Sequence, residues 1–140
     1  MASTTVDTVI AAPREVVYRL FADRESMSPY LPVNIKLVKP GTTEREGVGA
    51  QHQIGVGPVG PTEEITKLVP GERMEYKIVK GAPVKRHVGI VTFADADNNS
   101  TRVSYTMESD PSLPVPAKAL EAGLKVLISQ FLNGAKKAVR

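Results

Sequence analysis

The fold is decided by residues 101–138, TRVSYTMESDPSLPVPAKALEAGLKVLISQFLNGAKKA, in which the spacing of apolar residues changes once. Over residues 101–108 apolar and polar side chains alternate, which is typical of a strand with one buried face. Three prolines, Pro111, Pro114 and Pro116, then mark a break. Beyond them apolar residues recur every three or four positions, which predicts an amphipathic helix of roughly 20 residues, or ~30 Å. The apolar stripe of this helix consists of Leu120, Leu124, Leu127, Phe131, Ala135 and Ala138.

Upstream of this segment the sequence predicts one strand, two helices and five further strands. The first strand covers Thr4–Ile10, one helix begins at Pro13, and a second, shorter helix follows Asp23. The later strands cover residues 35–38, 50–56, 63–69, 73–80 and 87–94. Short strands joined by turns form an antiparallel sheet, and its apolar face must be buried against the apolar stripe of the long helix. We therefore expect an α+β fold, with about seven strands in a single domain over residues 1–140.

Composition excludes several classes of protein. The chain has 140 residues, of which 41% are apolar and 24% are charged, with a net charge of +3. It is too apolar for wholesale disorder, and its basic residues form no block that would indicate nucleic-acid binding. No apolar run approaches the ~20 residues that span a bilayer, and no secretory signal is visible. Because cysteine is absent, disulfides and thiol sites are excluded. The absence of cysteine fits any compartment, and the expected location is cytoplasmic.

Four short motifs resemble those of one superfamily. They are IAAPREVVYRLFAD at 10–23, YLP at 30–32, GVGA at 47–50 and TRVSY at 101–105. On these motifs the chain resembles the START-like, Bet v 1-like (SRPBCC) superfamily, whose bacterial members are often labelled polyketide cyclase/dehydrase or lipid-transport proteins. The resemblance implies a helix-grip fold: a curved antiparallel sheet wraps around the long C-terminal helix, and two short helices lie between strands 1 and 2. It also implies an elongated cavity for a hydrophobic small molecule between sheet and helix.

Strand alternation and the resemblance together predict which side chains face this cavity. On strands 73–80 and 101–108 the inward set is Met74, Tyr76, Ile78, Val103, Tyr105 and Met107. On strand 87–94 alternation leaves two choices, and the resemblance favours the one that turns His87 inward. On strand 63–69, if Leu68 faces inward, alternation places Glu64 on the inward face as well. The similar plant abscisic-acid receptors have a glutamate in their pocket at what looks like the same position, which supports this orientation.

Glu64 and His87 are the candidate catalytic pair if the protein is an enzyme. A carboxylate in an apolar cavity needs a partner, and the candidates for Glu64 are His87, His52, Tyr76, Lys36 and bound water. The alternative for Glu64 is a wet cavity mouth or the solvent face, because a one-residue slip in register turns every side chain over. The predicted ligand-contacting residues, for several of which core packing is the alternative, are Tyr30, His52, Glu64, Met74, Tyr76, His87, Tyr105, Met107 and Phe131.

Two loops resemble the moving parts of related receptors. Residues 55–61, GVGPVGP, are similar to a gate loop over the cavity mouth, and Val56, Pro58 and Val59 are its candidate contact residues. Residues 81–86 take the place of a latch, where Lys85 and Arg86 either meet an anionic ligand group or are solvated charges.

Three functions are compatible with these observations. The first is a soluble binding protein for a hydrophobic small molecule, lipid or polyketide-like. The second is an aromatase/cyclase-like enzyme that acts on a polyketide by acid/base-assisted aldol condensation or dehydration. The third is an interaction module that presents Val56 and Val59. We expect no nucleic-acid partner, no integral membrane segment, no metal and no cofactor, and a monomer or a homodimer paired through an exposed strand edge.

Overall fold

The computed structural model describes residues 2–56 and 59–140. The elements are β1 (Ala2–Ile10), α1 (Arg14–Ala22), a 3₁₀ helix (Arg24–Tyr30), β2 (Asn34–Lys39), β3 (Gln51–Gly55), β4 (Thr62–Val69), β5 (Arg73–Lys80), β6 (Val84–Ala96), a 3₁₀ turn (Asp97–Asn99), β7 (Ser100–Pro111) and α2 (Ala117–Ala138). The predicted order of one strand, two helices, six strands and one long helix is confirmed. β6 and β7 are longer than predicted, because their pairing continues to Val84 opposite Pro111.

The seven strands form one antiparallel sheet in the order β1-β7-β6-β5-β4-β3-β2. Strands β2 to β7 follow one another as neighbours, and β1 pairs with the free edge of β7. Helix α2 contacts β1, β7 and the 3₁₀ helix, which places it against the inner face of the sheet. The α+β class predicted from the order of elements and the helix-grip architecture implied by the family resemblance are both confirmed. None of the helices in the part of the chain described here is long and apolar enough to cross a membrane.

The core lies between the inner face of the sheet and one side of each helix. Helix α2 contributes buried residues at helical spacing, namely Leu124, Ile128, Phe131, Leu132 and Ala135. Helix α1 contributes Val17 and Phe21, which are four residues apart and therefore lie on one side of the helix. Val16, the sequence neighbour of Val17, is 48% exposed, because consecutive residues of a helix point about 100° apart.

A β-bulge in β4 decides which of its side chains face the core. The pairing of β4 with β5 runs from Ile65 opposite Tyr76 to Lys67 opposite Glu75, so Thr66 is an extra residue on the β4 side. A bulge reverses the alternation of the strand beyond it. Ile65 is therefore fully buried, and Leu68 packs against the same core although the two residues are three positions apart, a spacing that would place them on opposite faces of a regular strand. Glu63 shares the inner face with Ile65, and Glu64 lies on the outer face.

The cross-strand pair of Tyr76 with Gly89 brings a ring directly over a backbone. A Cβ atom added at Gly89 would lie 2.1 Å from the Tyr76 ring, which is too close for any real contact. We expect Gly89→Ala to displace the ring and to lower the free energy of unfolding by about 1–3 kcal/mol, the usual cost of overpacking. Urea denaturation followed by circular dichroism measures this change.

Gly123→Ala is the matched control for Gly89→Ala. Gly123 is exposed on α2, and a Cβ atom there would meet nothing within 4 Å. Because alanine is the better helix former, this substitution is expected to raise the free energy of unfolding by about 0.5–1 kcal/mol. Equal effects of the two substitutions would contradict the role assigned to Gly89.

Candidate functional site

A cavity of about 280 Å³ lies between the inner face of the sheet and the first half of α2. Its helix side is apolar and consists of Leu120, Leu124, Leu127 and Phe131. Its sheet side carries Glu63, Tyr76, Ile78, His87, Met107 and Ser109. Ile54, Pro61, Ala82 and Val84 complete the wall at the bases of the two loops described above. An apolar cavity with a few polar groups is the usual form of a small-molecule site.

Glu63 is held by a buried, two-pronged ion pair with Arg24 of the 3₁₀ helix. Arg24 Nε donates to Oε1 at 2.6 Å and Nη2 donates to Oε2 at 3.1 Å, and the side chains are 0% and 1% exposed. The guanidinium also lies over the rings of Tyr76 and Phe131, at 5.1 and 5.0 Å from their centres. Burial alone would lower the pKa of Arg24, but the Glu63 carboxylate more than offsets it, so the pKa is raised and Arg24 stays charged. The cavity therefore contains a carboxylate whose charge is already neutralised.

Arg24 is a functional candidate that the sequence reasoning missed. Arg24 and Met27 lie three residues apart in the 3₁₀ helix and are both 0% exposed. That spacing matches the three residues per turn of a 3₁₀ helix, so it could have indicated an inward-facing arginine. One nitrogen of this side chain, Nη1, is buried without a hydrogen-bond partner among the residues that the structure describes.

Tyr76 and Tyr105 form a hydroxyl pair between the cavity wall and the core. Their oxygens are 2.5 Å apart, and both side chains are almost fully buried. Burial is the main reason why the pKa of Tyr76 is raised well above its usual value and that of Tyr105 is raised to about 12. Both hydroxyls are therefore protonated at neutral pH and are hydrogen-bonding groups rather than bases. Tyr76 lines the cavity, whereas Tyr105 lies in the core beneath it.

His87 and Ser109 lie opposite each other on β6 and β7, and both line the cavity. Burial lowers the pKa of His87, so the ring is neutral at pH 7, with one nitrogen that donates and one that accepts. Within residues 2–56 and 59–140 no side chain hydrogen-bonds to this ring. Among the described residues of the cavity wall, His87 is thus the titratable side chain that can still form hydrogen bonds with a ligand through both ring nitrogens.

His52 lies beside this cavity and does not line it. Its side chain is 0% exposed, and Nε2 is 2.8 Å from Oε1 of Glu46. Burial is the largest influence on His52 and lowers its pKa to about 4, although Glu63 acts in the opposite direction. Burial also raises the pKa of Glu46. His52 is therefore neutral at pH 7 and is a structural partner of Glu46.

The structure corrects the expected position of Glu64. This side chain lies on the outer face of the sheet, where it accepts a hydrogen bond from Gln51 Nε2 at 2.9 Å and lies 4.0 Å from Lys77 Nζ. It borders a different surface hollow, next to Lys39 and Thr42. The bulge at Thr66 is the physical reason, because it allows Leu68 to face inward without turning Glu64 inward as well. Glu64 and His87 are thus on opposite faces and cannot act as an acid/base pair.

Four other predicted contact residues also lie away from the cavity wall. Met74 is 0% exposed in the core, and Tyr30 is 40% exposed beside a surface groove between the 3₁₀ helix and α2. Val56 and Val59 are more than 70% exposed and are joined by two backbone hydrogen bonds of 3.0 and 3.3 Å. Pro58 lies outside the described residues. Tyr76, His87, Met107 and Phe131 do line the cavity, and their contact with a ligand stays a prediction.

The two loop cations also differ in their surroundings. Arg86 donates to Glu108 at 3.2 Å, so its charge is already paired, whereas Lys85 is exposed. Among the described residues no group of three or more His, Asp or Glu side chains is placed to hold a metal ion. Chemically, the site offers hydrogen bonds and apolar contact.

Solved structures with the same architecture span nearly the whole chain. A protein from Thermus thermophilus, TTHA0849, is 25% identical with a TM-score of 0.76, over 98% of this chain and 96% of that one. A START superfamily protein from Mycobacterium smegmatis is 12% identical with a TM-score of 0.79, over 99% of both chains. The di-domain ARO/CYC protein BexL from the BE-7585A biosynthetic pathway is 18% identical with a TM-score of 0.76, over 99% of this chain and 46% of BexL.

These similarities at low identity establish the fold. No curated protein sequence matches the chain. The model of one protein family, described as "Polyketide cyclase / dehydrase and lipid transport", matches residues 1–140. With that match over its full length, together with the helix-grip sheet and the cavity beneath α2, the chain belongs to the polyketide cyclase/dehydrase and lipid-transport family.

Proposed function

We propose that the protein binds a hydrophobic small molecule in the cavity between the sheet and α2. The observation that carries this proposal is the cavity itself, about 280 Å³ in volume, with a helix side formed by Leu120, Leu124, Leu127 and Phe131. Transfer of an apolar ligand from water to such a wall is favourable by roughly 25 cal/mol per Å² of buried apolar area. The volume lies just below the usual range for ligand sites, about 300–1,000 Å³, which favours a small lipid or polyketide-like compound.

The first experiment is mass spectrometry on protein purified from its native host and then denatured. We expect a hydrophobic compound to be released in a defined ratio to the protein. The matched comparison is Leu124→Trp, which places an indole in the cavity, with Lys125→Trp as the control, because Lys125 is the exposed neighbour of Leu124 on α2. Leu124→Trp is expected to reduce the recovered compound at least tenfold, and Lys125→Trp is expected to leave it unchanged.

The introduced tryptophan also reports where its side chain lies. The chain contains no other tryptophan, so the emission spectrum belongs to the new residue alone. Blue-shifted emission in Leu124→Trp, together with an unchanged circular dichroism spectrum, shows that the indole fills the cavity of a folded protein. Equal recovery of compound from both variants under these conditions would overturn the proposal.

The cyclase alternative has weaker support in the geometry. Acid/base-assisted condensation needs groups that can give and take protons, and Arg24 occupies both oxygens of Glu63. Glu64, the predicted partner of His87, lies on the outer face. The ARO/CYC protein BexL shares the fold at 18% identity, which bears on architecture and not on chemistry. A cyclase would have to work with His87 as its one free titratable group among the described wall residues.

A further inference from the structure

One row of residues across the inner face of the sheet is polar, although the rest of that face is mostly apolar. Glu63 on β4 pairs with Ile78 on β5. Lys77 pairs with Val88, so the next inward position brings Ile78 beside His87 of β6. His87 in turn pairs with Ser109 of β7. We call Glu63, His87 and Ser109 the polar row; all three line the cavity.

The polar row gives the cavity two different sides. Neighbouring strands are ~4.8 Å apart, so Glu63 and His87, which lie two strands apart, are separated by about 10 Å along the row. Ser109 is the direct neighbour of His87. The opposite side of the cavity is formed by the leucines and the phenylalanine of α2. A ligand that satisfies both sides is polar along one edge and apolar along the other.

The hydrogen-bonding capacities of the row favour neutral hydroxyl groups on the ligand. Each oxygen of Glu63 accepts one hydrogen bond from Arg24 and keeps capacity for another, so the carboxylate is an acceptor. An anionic ligand group would be repelled by Glu63, and a cationic one by the neighbouring Arg24. His87 and Ser109 each donate and accept, and burial keeps His87 neutral. A hydroxyl is the common group that can donate to Glu63 and also pair with His87 or Ser109.

We infer that the ligand is an elongated, uncharged apolar molecule with two hydroxyl groups about 10 Å apart, one bound by Glu63 and the other by His87 and Ser109. This inference rests on the proposed function, since it specifies the class of molecule that the same cavity takes. It assigns recognition to three residues, of which the sequence reasoning had singled out His87.

Three probes of one shape test the inference: 4,4′-dihydroxybiphenyl, 4-hydroxybiphenyl and biphenyl. Their dissociation constants are measured by displacement of the uncharged fluorophore N-phenyl-1-naphthylamine. A net hydrogen bond corresponds to a factor of roughly 2–10 in affinity. We expect about fivefold tighter binding for each hydroxyl, and therefore about 25-fold between biphenyl and the dihydroxy compound.

Two variants of the row and one control complete the experiment. His87→Phe and Ser109→Ala are expected to remove the gain from the second hydroxyl, measured within each variant as the ratio of the dissociation constants of 4-hydroxybiphenyl and 4,4′-dihydroxybiphenyl. Ser104→Ala is the control, because Ser104 is on the same strand with its side chain on the outer face. This control is expected to bind all three probes as the unsubstituted protein does. Glu63 is not substituted in this experiment, because its loss would leave the buried charge of Arg24 without a partner.

The outcomes separate the inference from the proposed function. Equal affinities for the three probes, or row variants that keep the preference for two hydroxyls, would overturn the polar row as the recognition element while binding in the cavity stands. If the unsubstituted protein binds none of the probes, the inference is also overturned. The proposed function is then decided independently by the compound recovered from the native host.

Discussion

Glu63→Gln is expected to lower the free energy of unfolding by about 3–5 kcal/mol at pH 7, the range seen when one member of a buried ion pair is removed. Gln and Glu have nearly the same shape, so the substitution removes charge rather than volume. It leaves the guanidinium of Arg24, which is 0% exposed, without its counter-charge. Urea denaturation monitored by circular dichroism measures the loss as a lower unfolding midpoint.

Glu64→Gln is the matched control, one residue away on the same strand. Glu64 is 25% exposed on the outer face and accepts a hydrogen bond from Gln51, so its substitution is expected to cost less than about 1 kcal/mol. The double variant Arg24→Met/Glu63→Gln removes both charges and is expected to recover most of the lost stability. Equal costs for Glu63→Gln and Glu64→Gln would contradict the orientation assigned to β4.

Acid is expected to destabilise the protein by roughly 3 kcal/mol through His52, whose pKa falls from 6.5 to about 4 on folding. The unfolded chain binds a proton at His52 below pH 6.5, whereas the folded protein resists it until about pH 4. The unfolded state therefore carries more protons within this window, and stability falls as the pH is lowered through it. Below about pH 4 this contribution no longer changes.

The difference between the protein and its His52→Gln variant isolates this effect. Glutamine does not titrate, and the titratable groups remote from His52, His87 among them, contribute equally to both proteins. Free energies of unfolding are measured by urea denaturation at half-unit steps from pH 7.5 to pH 4, in a range set by the two pKa values. We expect the variant to lose less stability than the unsubstituted protein, by an amount that grows steadily below pH 6.5. Parallel curves would show that His52 is protonated equally in both states.

Much of the fold could be predicted from local patterns. The change from alternating to helical spacing at Pro111–Pro116 indicated the last strand and α2, and the intervening turns indicated the antiparallel order. On β5 and β7 the inward residues followed from alternation, since Tyr76, Tyr105 and Met107 are buried as the pattern required. Neither β5 nor β7 carries an extra residue next to these three side chains, so the two-residue alternation of a strand holds there.

The site depended on features that no local pattern contains. The bulge at Thr66 separates the face of Leu68 from that of Glu64, and a single extra residue has no signature in the spacing of apolar side chains. The inward carboxylate is Glu63, and its partner Arg24 lies 39 residues earlier, on a different element. A charge is buried only where an opposite charge reaches it, and that meeting is a property of the packed molecule. Local spacing thus determined the layers of this protein, and the ion pair between the 3₁₀ helix and β4 determined which charged side chains lie inside it.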